Sequence, residues 1–162
     1  MNINAAKFLR LIKHPIKYRM FLFYKLPAAF FSGVRIIDAD ETKCEVSVPF
    51  KWLTQNPFRS TYFASLAMAA ELSTGVLAMM HVYGRKPPVS MLVTKMEASY
   101  FKKAVGKTIF SCEDGKQISE VIEEIILTNE SQSTIVKSVG KNKDGEIVAE
   151  FFFTWSFKTK QL

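Results

Sequence analysis

The chain has little with which to hold a metal or a disulfide framework. Its 162 residues include two cysteines, Cys44 and Cys112, and two histidines, His14 and His81, at no ligand-like spacing. Structural zinc sites need four such ligands and catalytic ones three, so the composition excludes that chemistry. Both cysteines read as small buried strand residues. There is no Ser-His-Asp arrangement and no glycine-rich phosphate loop, and no cofactor is implied. Acidic residues are missing altogether before Asp38, where Lys7, Arg10, Lys13, Lys17, Arg19, Lys25 and Arg35 stand unopposed. Those seven account for the whole formal charge of +7, because basic and acidic residues balance in the rest of the chain. A nucleic-acid-binding domain with a broad basic face is therefore not expected; a basic N-terminal arm is. What is abundant is apolar: 48% hydrophobic and 13% aromatic residues exclude disorder, and the length suits one domain.

The arm, residues 1–32, is greasy as well as basic. Phe8, Leu9, Leu11 and Ile12 are followed by Tyr18 and the run Met20 to Tyr24. Lys25 interrupts that run and no convincing cleavage pattern precedes Ser32-Gly33, so a retained amphipathic helix pair broken at Pro15 is expected rather than a secretory signal. Two destinations remain open. The arm packs on the domain or a partner subunit, or residues 1–31 dock on an anionic membrane surface. A cytoplasmic protein is expected, at the inner membrane surface in the second case.

Charge is scarce again from Ser60 to Met80, where Glu71 is the only charged residue in 21 positions. A helix of this composition is apolar on every side and belongs in a core. It is long enough to span a bilayer, but a central carboxylate and flanking strands argue against that. Without a partner, a buried carboxylate costs several kcal/mol or takes up a proton. Asn56 lies in the turn-like Gln55-Asn56-Pro57-Phe58-Arg59 that leads into this helix, for which Ser60 or Thr61 is the expected N-cap. Period-2 alternation predicts strands at 34–38, 43–50, 89–101, 107–112, 133–141 and 146–158, the last two joined by a turn at Asn142-Lys143-Asp144-Gly145. Ile118, Val121, Ile122, Ile125 and Ile126 form a helical stripe. Residues 33–162 therefore read as one α+β domain, a sheet curled around one long central helix.

This layout resembles the hotdog-fold thioesterase superfamily, over about residues 33 to 158. The likeness rests on Asn56-Pro57-Phe58-Arg59-Ser60, on the helix Phe63-Ala64-Ser65-Leu66-Ala67-Met68-Ala69-Ala70-Glu71-Leu72-Ser73-Thr74-Gly75, and on Glu146-Ile147-Val148-Ala149-Glu150. It is nearest to an uncharacterised thioesterase-like branch beside the phenylacetyl-CoA and 4-hydroxybenzoyl-CoA thioesterase groups. The resemblance implies a curved antiparallel sheet around the helix, and a homodimer or dimer of dimers. It further implies an acyl-CoA thioester substrate, with Glu71 as general base or nucleophile and Asn56 orienting water or the thioester carbonyl. Backbone N–H groups at Tyr62 and Phe63 would form the oxyanion site. Where the family has a His-Gly-Gly type segment, this chain has Tyr62-Phe63-Ala64, whose two rings narrow or rebuild the pocket. Arg59, Ser73, Thr74, Trp52 and Phe58 are the remaining expected substrate contacts. Each has a plainer alternative: Glu71 as a structural acid paired with Arg59 or across a dimer, Asn56 as a turn residue, Arg59 as a solvent-facing charge, Ser73 or Thr74 supporting Glu71 or facing a partner subunit, Trp52 and Phe58 as core. Arg85-Lys86 either meets the CoA nucleotide or is a solvated loop. Against the thioesterase stands a non-catalytic protein that binds acyl-CoA or fatty acyl ligands.

Overall fold

The computed structural model describes residues 3–160. Prolines divide the arm. Pro15 opens α2 (Pro15–Lys25) after α1 (Ile3–Lys13), and Pro27 opens α3 (Pro27–Ser32). A proline lacks an N–H and fixes φ, which suits the first helical turn and breaks whatever precedes it. The expected helix pair is thus three helices, because Pro27 makes a second break. His14 caps α2, its Nδ1 accepting from the Lys17 N–H.

Six strands follow: β1 (Arg35–Ala39), β2 (Cys44–Val48), β3 (Val89–Tyr100), β4 (Thr108–Cys112), β5 (Gln132–Lys141) and β6 (Ile147–Thr159). All pair antiparallel in one sheet of order β1-β2-β4-β5-β6-β3. The long helix α4 (Phe63–Val82) lies against the middle of this sheet, and α5 (Gly115–Thr128) packs beside it. Helix α4 alone among the described residues is long and apolar enough to cross a membrane. Here it is the core helix, with 13 of its residues buried.

The contact is built by alternation. On β6, Ala149, Phe151, Phe153, Trp155 and Phe157 are all buried, and burying one such aromatic is worth roughly 1.5–3 kcal/mol. Two hydrogen-bond chains fix how α4 sits. Ser73 Oγ donates to Ala70 O at 2.7 Å and bonds Ser138 Oγ of β5 at 2.8 Å. Trp155 Nε1 donates to Thr74 Oγ1 at 3.0 Å, and that hydroxyl donates to Glu71 O at 2.9 Å. Gly140 is needed for close approach, since a Cβ there would meet the Phe110 ring at 2.4 Å.

The helix start differs from expectation. Tyr62 is the N-cap, without a side-chain cap bond. Ser60 and Thr61 are occupied in the loop instead: the Thr61 N–H and Oγ1 both bond Ala104 O, and Ser60 Oγ bonds Asn56 Oδ1. The arm joins the same core through Ala5, Phe8, Ile12, Tyr18, Leu22 and Ala29, all buried. Its inner side therefore packs on the domain.

Candidate active site

Glu71 sits midway along α4; Ser73, two positions on, falls on the opposite side of the helix, while Thr74 lies one turn on and bonds the Glu71 backbone oxygen. Its carboxylate is half-buried and has no hydrogen bond or ion pair among the described residues. Burial raises its pKa above the ordinary carboxylate range, and no neighbouring charge opposes this. The room it occupies comes from Gly75, one turn on: a Cβ there would lie 3.0 Å from Glu71 Oε1 and 3.4 Å from the Trp155 ring.

Glu71 opens into a cleft of about 260 Å³ lined by Phe21, Lys25, Leu26, Leu72, Gly75, Met79 and Met91. Three of these belong to the arm and one to β3. Apart from Glu71 and Lys25 the walls are apolar, suiting a hydrocarbon chain beside one acid. The arm and Met91 were not legible as site residues, because no local pattern shows that α2 ends over the middle of α4.

Asn56 serves first as a turn residue. Its Oδ1 accepts from the Phe58 N–H at 3.0 Å, the Ser60 N–H at 3.3 Å and the Ser60 hydroxyl at 3.2 Å. This holds Arg59 in the left-handed region at φ 57, and leaves Nδ2 with only a long 3.5 Å contact to Thr61 O. Asn56 does not line the cleft that Glu71 opens into.

Several expected contacts fall elsewhere. Ser73 and Thr74 are fully buried and spent on the sheet, so they touch neither substrate nor the Glu71 carboxylate in this chain. Trp52 and Phe58 do not line the cleft or the core; they are 79% and 72% exposed, on the loop before α4. Arg59 is exposed and makes no ion pair with Glu71 among the described residues. Arg85 is tied to Glu123 and to His81 O rather than free for a nucleotide.

At the start of α4 the Tyr62 N–H is already bonded to Thr54 O at 2.6 Å. The next two donors, Phe63 and Ala64, have no acceptor among the described residues. These are the orphan N–H groups of a helix start, so the available pair is Phe63 and Ala64 rather than Tyr62 and Phe63. The Tyr62 and Phe63 rings stack edge-on, 4.8 Å apart, beside them. Along the helix, eight residues separate Phe63 from Glu71, roughly 12 Å at 1.5 Å per residue. One chain's donors and acid therefore cannot meet on one carbonyl. Neither cysteine is an alternative nucleophile, since burial pushes the Cys112 thiol up to about 12 and raises Cys44 as well.

No curated protein matches the chain. Among solved structures it is similar to a protein of unknown function from Pseudomonas aeruginosa, named there as a probable thioesterase, with TM-score 0.75 and 19% identity over 90% of this chain and 97% of that one. A thioesterase from Haemophilus influenzae gives TM-score 0.63 and 10% identity, covering 86% and 88%. The E. coli PaaI protein from the phenylacetic acid degradation operon gives 0.63 and 12%, covering 93% and 96%. The fold is that of the hotdog thioesterases. Residues 19–157 match the profile of the domain of unknown function DUF4442, and the chain belongs to that family.

Proposed function

We propose that this protein is a thioesterase that hydrolyses acyl-CoA, with Glu71 as its base or nucleophile. The observation that carries this is a half-buried carboxylate, without a hydrogen-bond or ion-pair partner among the described residues, in the wall of an apolar cleft. Such a group is a stronger base than an exposed one, which is what attack by water requires. Glu71 takes a proton from water as the water oxygen bonds to the thioester carbonyl carbon. The C–S bond then breaks, the thiolate is protonated, and a carboxylic acid and free CoA leave. If Glu71 attacks directly, it forms an anhydride that water hydrolyses to the same products. The unbonded Phe63 and Ala64 N–H groups, at the positive end of the α4 dipole, suit the developing oxyanion. The Asn56 amide suits the carbonyl or the water.

The separation of these parts along α4 supports a site shared by two chains, one giving Glu71 and the other the donors. Strand β3 supports the same reading. It is twelve residues long, lies at the sheet edge, and bears exposed Leu92, Met96 and Tyr100. Such an edge calls for a covering strand, and a second copy supplies one.

The test is hydrolysis of short, medium, long and aromatic acyl-CoA esters, with free CoA as readout, by the native chain and Glu71→Gln. Turnover in the native chain and its loss in the variant are expected; equal turnover in both would remove the mechanism. A second reading, a non-catalytic binder of acyl ligands, draws on the Tyr62 and Phe63 rings beside the donor pair. It predicts co-purified acyl ligand by mass spectrometry and no turnover on any ester.

A further inference from the structure

The arm has two sides, and only one is used by the fold. Inward, Tyr18 and Leu22 are buried in the core, while Phe21 and Leu26 wall the Glu71 cleft. Outward, Ile16, Met20, Phe23, Tyr24 and Phe31 are exposed, with Ile16 at 65% and Tyr24 at 71% exposure. The α2 members of this set fall at offsets of 0, 4, 7 and 8, one face of a helix. Lys17 shares that face, three positions before Met20 and seven before Tyr24. Lys13 precedes it and Lys25 closes it, both exposed. No acid occurs before Asp38, and Asp38 itself is engaged by Lys13 at 3.6 Å. A large apolar stripe set among cations, on helices that carry no acid of their own, has a specific complement. A second copy of the arm would bring six more positive charges to the same place, whereas an anionic lipid surface satisfies both the charge and the stripe.

We propose that the outer side of α2 and α3 seats on an anionic bilayer. Ile16, Met20, Phe23, Tyr24 and Phe31 enter the interfacial layer, and the flanking lysines meet lipid phosphates. The docked helix is also a wall of the Glu71 cleft. On the thioesterase reading, the substrates favoured are then long-chain acyl thioesters that partition into membranes.

The full chain is sedimented, without substrate, with vesicles of phosphatidylcholine alone or mixed with phosphatidylglycerol. Binding to the anionic vesicles, weakening as salt is raised, is expected, with little binding to the zwitterionic ones. The double substitution Met20→Asp, Phe23→Asp should abolish binding, and Lys17→Gln should weaken it about fivefold, as one interfacial cation contributes. Lys17 and Met20 are exposed and the Phe23 ring meets the rings of Tyr24, Phe30 and Phe31 at the surface, so the circular dichroism spectrum should stay as in the native chain. Absence of binding to anionic vesicles would overturn the proposal. So would undiminished binding by the Asp double variant, or a fall in its mass by light scattering with no vesicle binding by either form, which would assign the stripe to a second copy. Because no substrate is present, failure here is distinct from failure of the thioesterase reading. Vesicle binding without turnover would leave the docking surface intact and remove only its substrate class.

Discussion

Glu71 combines two properties that act in the same direction: burial raises its pKa, and no neighbour among the described residues compensates its carboxylate. Between its unfolded and raised folded values, the folded chain holds more protons than the unfolded one. Stability linked to neutral Glu71 is therefore complete below the unfolded pKa and is lost as pH rises through the folded one. Glu71→Gln removes that loss. Its Tm should exceed that of the native chain near neutral pH, with the difference shrinking in acid, as read by thermal melts across a pH series. Hydrolysis should move oppositely, falling by a factor on the order of 10²–10⁴ with loss of the base. In the native chain, activity should rise with pH through a value above the ordinary carboxylate range. A purely structural acid paired with another group would give a variant less stable at neutral pH. Glu71 was legible in the sequence because one charge among so many small and apolar residues is conspicuous. The fates of Ser73 and Thr74 were not, because a helix apolar all round gives no sign of which face meets the sheet.

Among the elements, α4 shows how a local cost is accepted for a site. Gly75 weakens the helix by roughly 1 kcal/mol relative to alanine, yet it lies where a methyl group would press on Glu71 Oε1 at 3.0 Å. The carboxylate is the free end of a flexible side chain and can swing away, whereas the Trp155 ring at 3.4 Å needs little adjustment. Gly75→Ala should therefore fold, with stability equal to or up to about 1 kcal/mol above the native chain in denaturant titration. Its kcat should nonetheless fall at least tenfold, since a displaced base misses its geometry. Loss of stability together with activity would instead mean that Trp155 cannot yield. Most elements could be read from periodicity: the alternation on β6 and the isoleucine stripe of α5 each declare one buried face. The start of α4 could not, because Thr61 gives its hydroxyl to Ala104, 43 residues away, rather than to the helix beside it.

At the scale of the molecule, the sequence carried the sheet and its central helix but not the arm's place over Glu71. The Glu71 cleft sets α2 beside α4 across some fifty residues, and no periodicity within either helix encodes it. On the mechanism proposed above, a single chain does not finish the chemistry, given the gap of roughly 12 Å between helix start and acid. A second copy added along β3 would cover an apolar edge and supply the missing half of each site. Leu92 and Met96, exposed on that edge strand, lie outside the cleft lining. Replacing both by arginine sets like charges against each other wherever two β3 strands face, at a cost to association that buried apolar contacts no longer offset. The native chain is expected to run as a dimer, or a pair of dimers, in light scattering at micromolar concentration. Leu92→Arg with Met96→Arg should give monomers with a native-like circular dichroism spectrum. If the active site is shared, those monomers lose hydrolysis although Glu71 and its cleft are intact. Active monomers would show that each chain completes its site alone, and would require α4 and the Asn56 loop to approach one another within a single subunit.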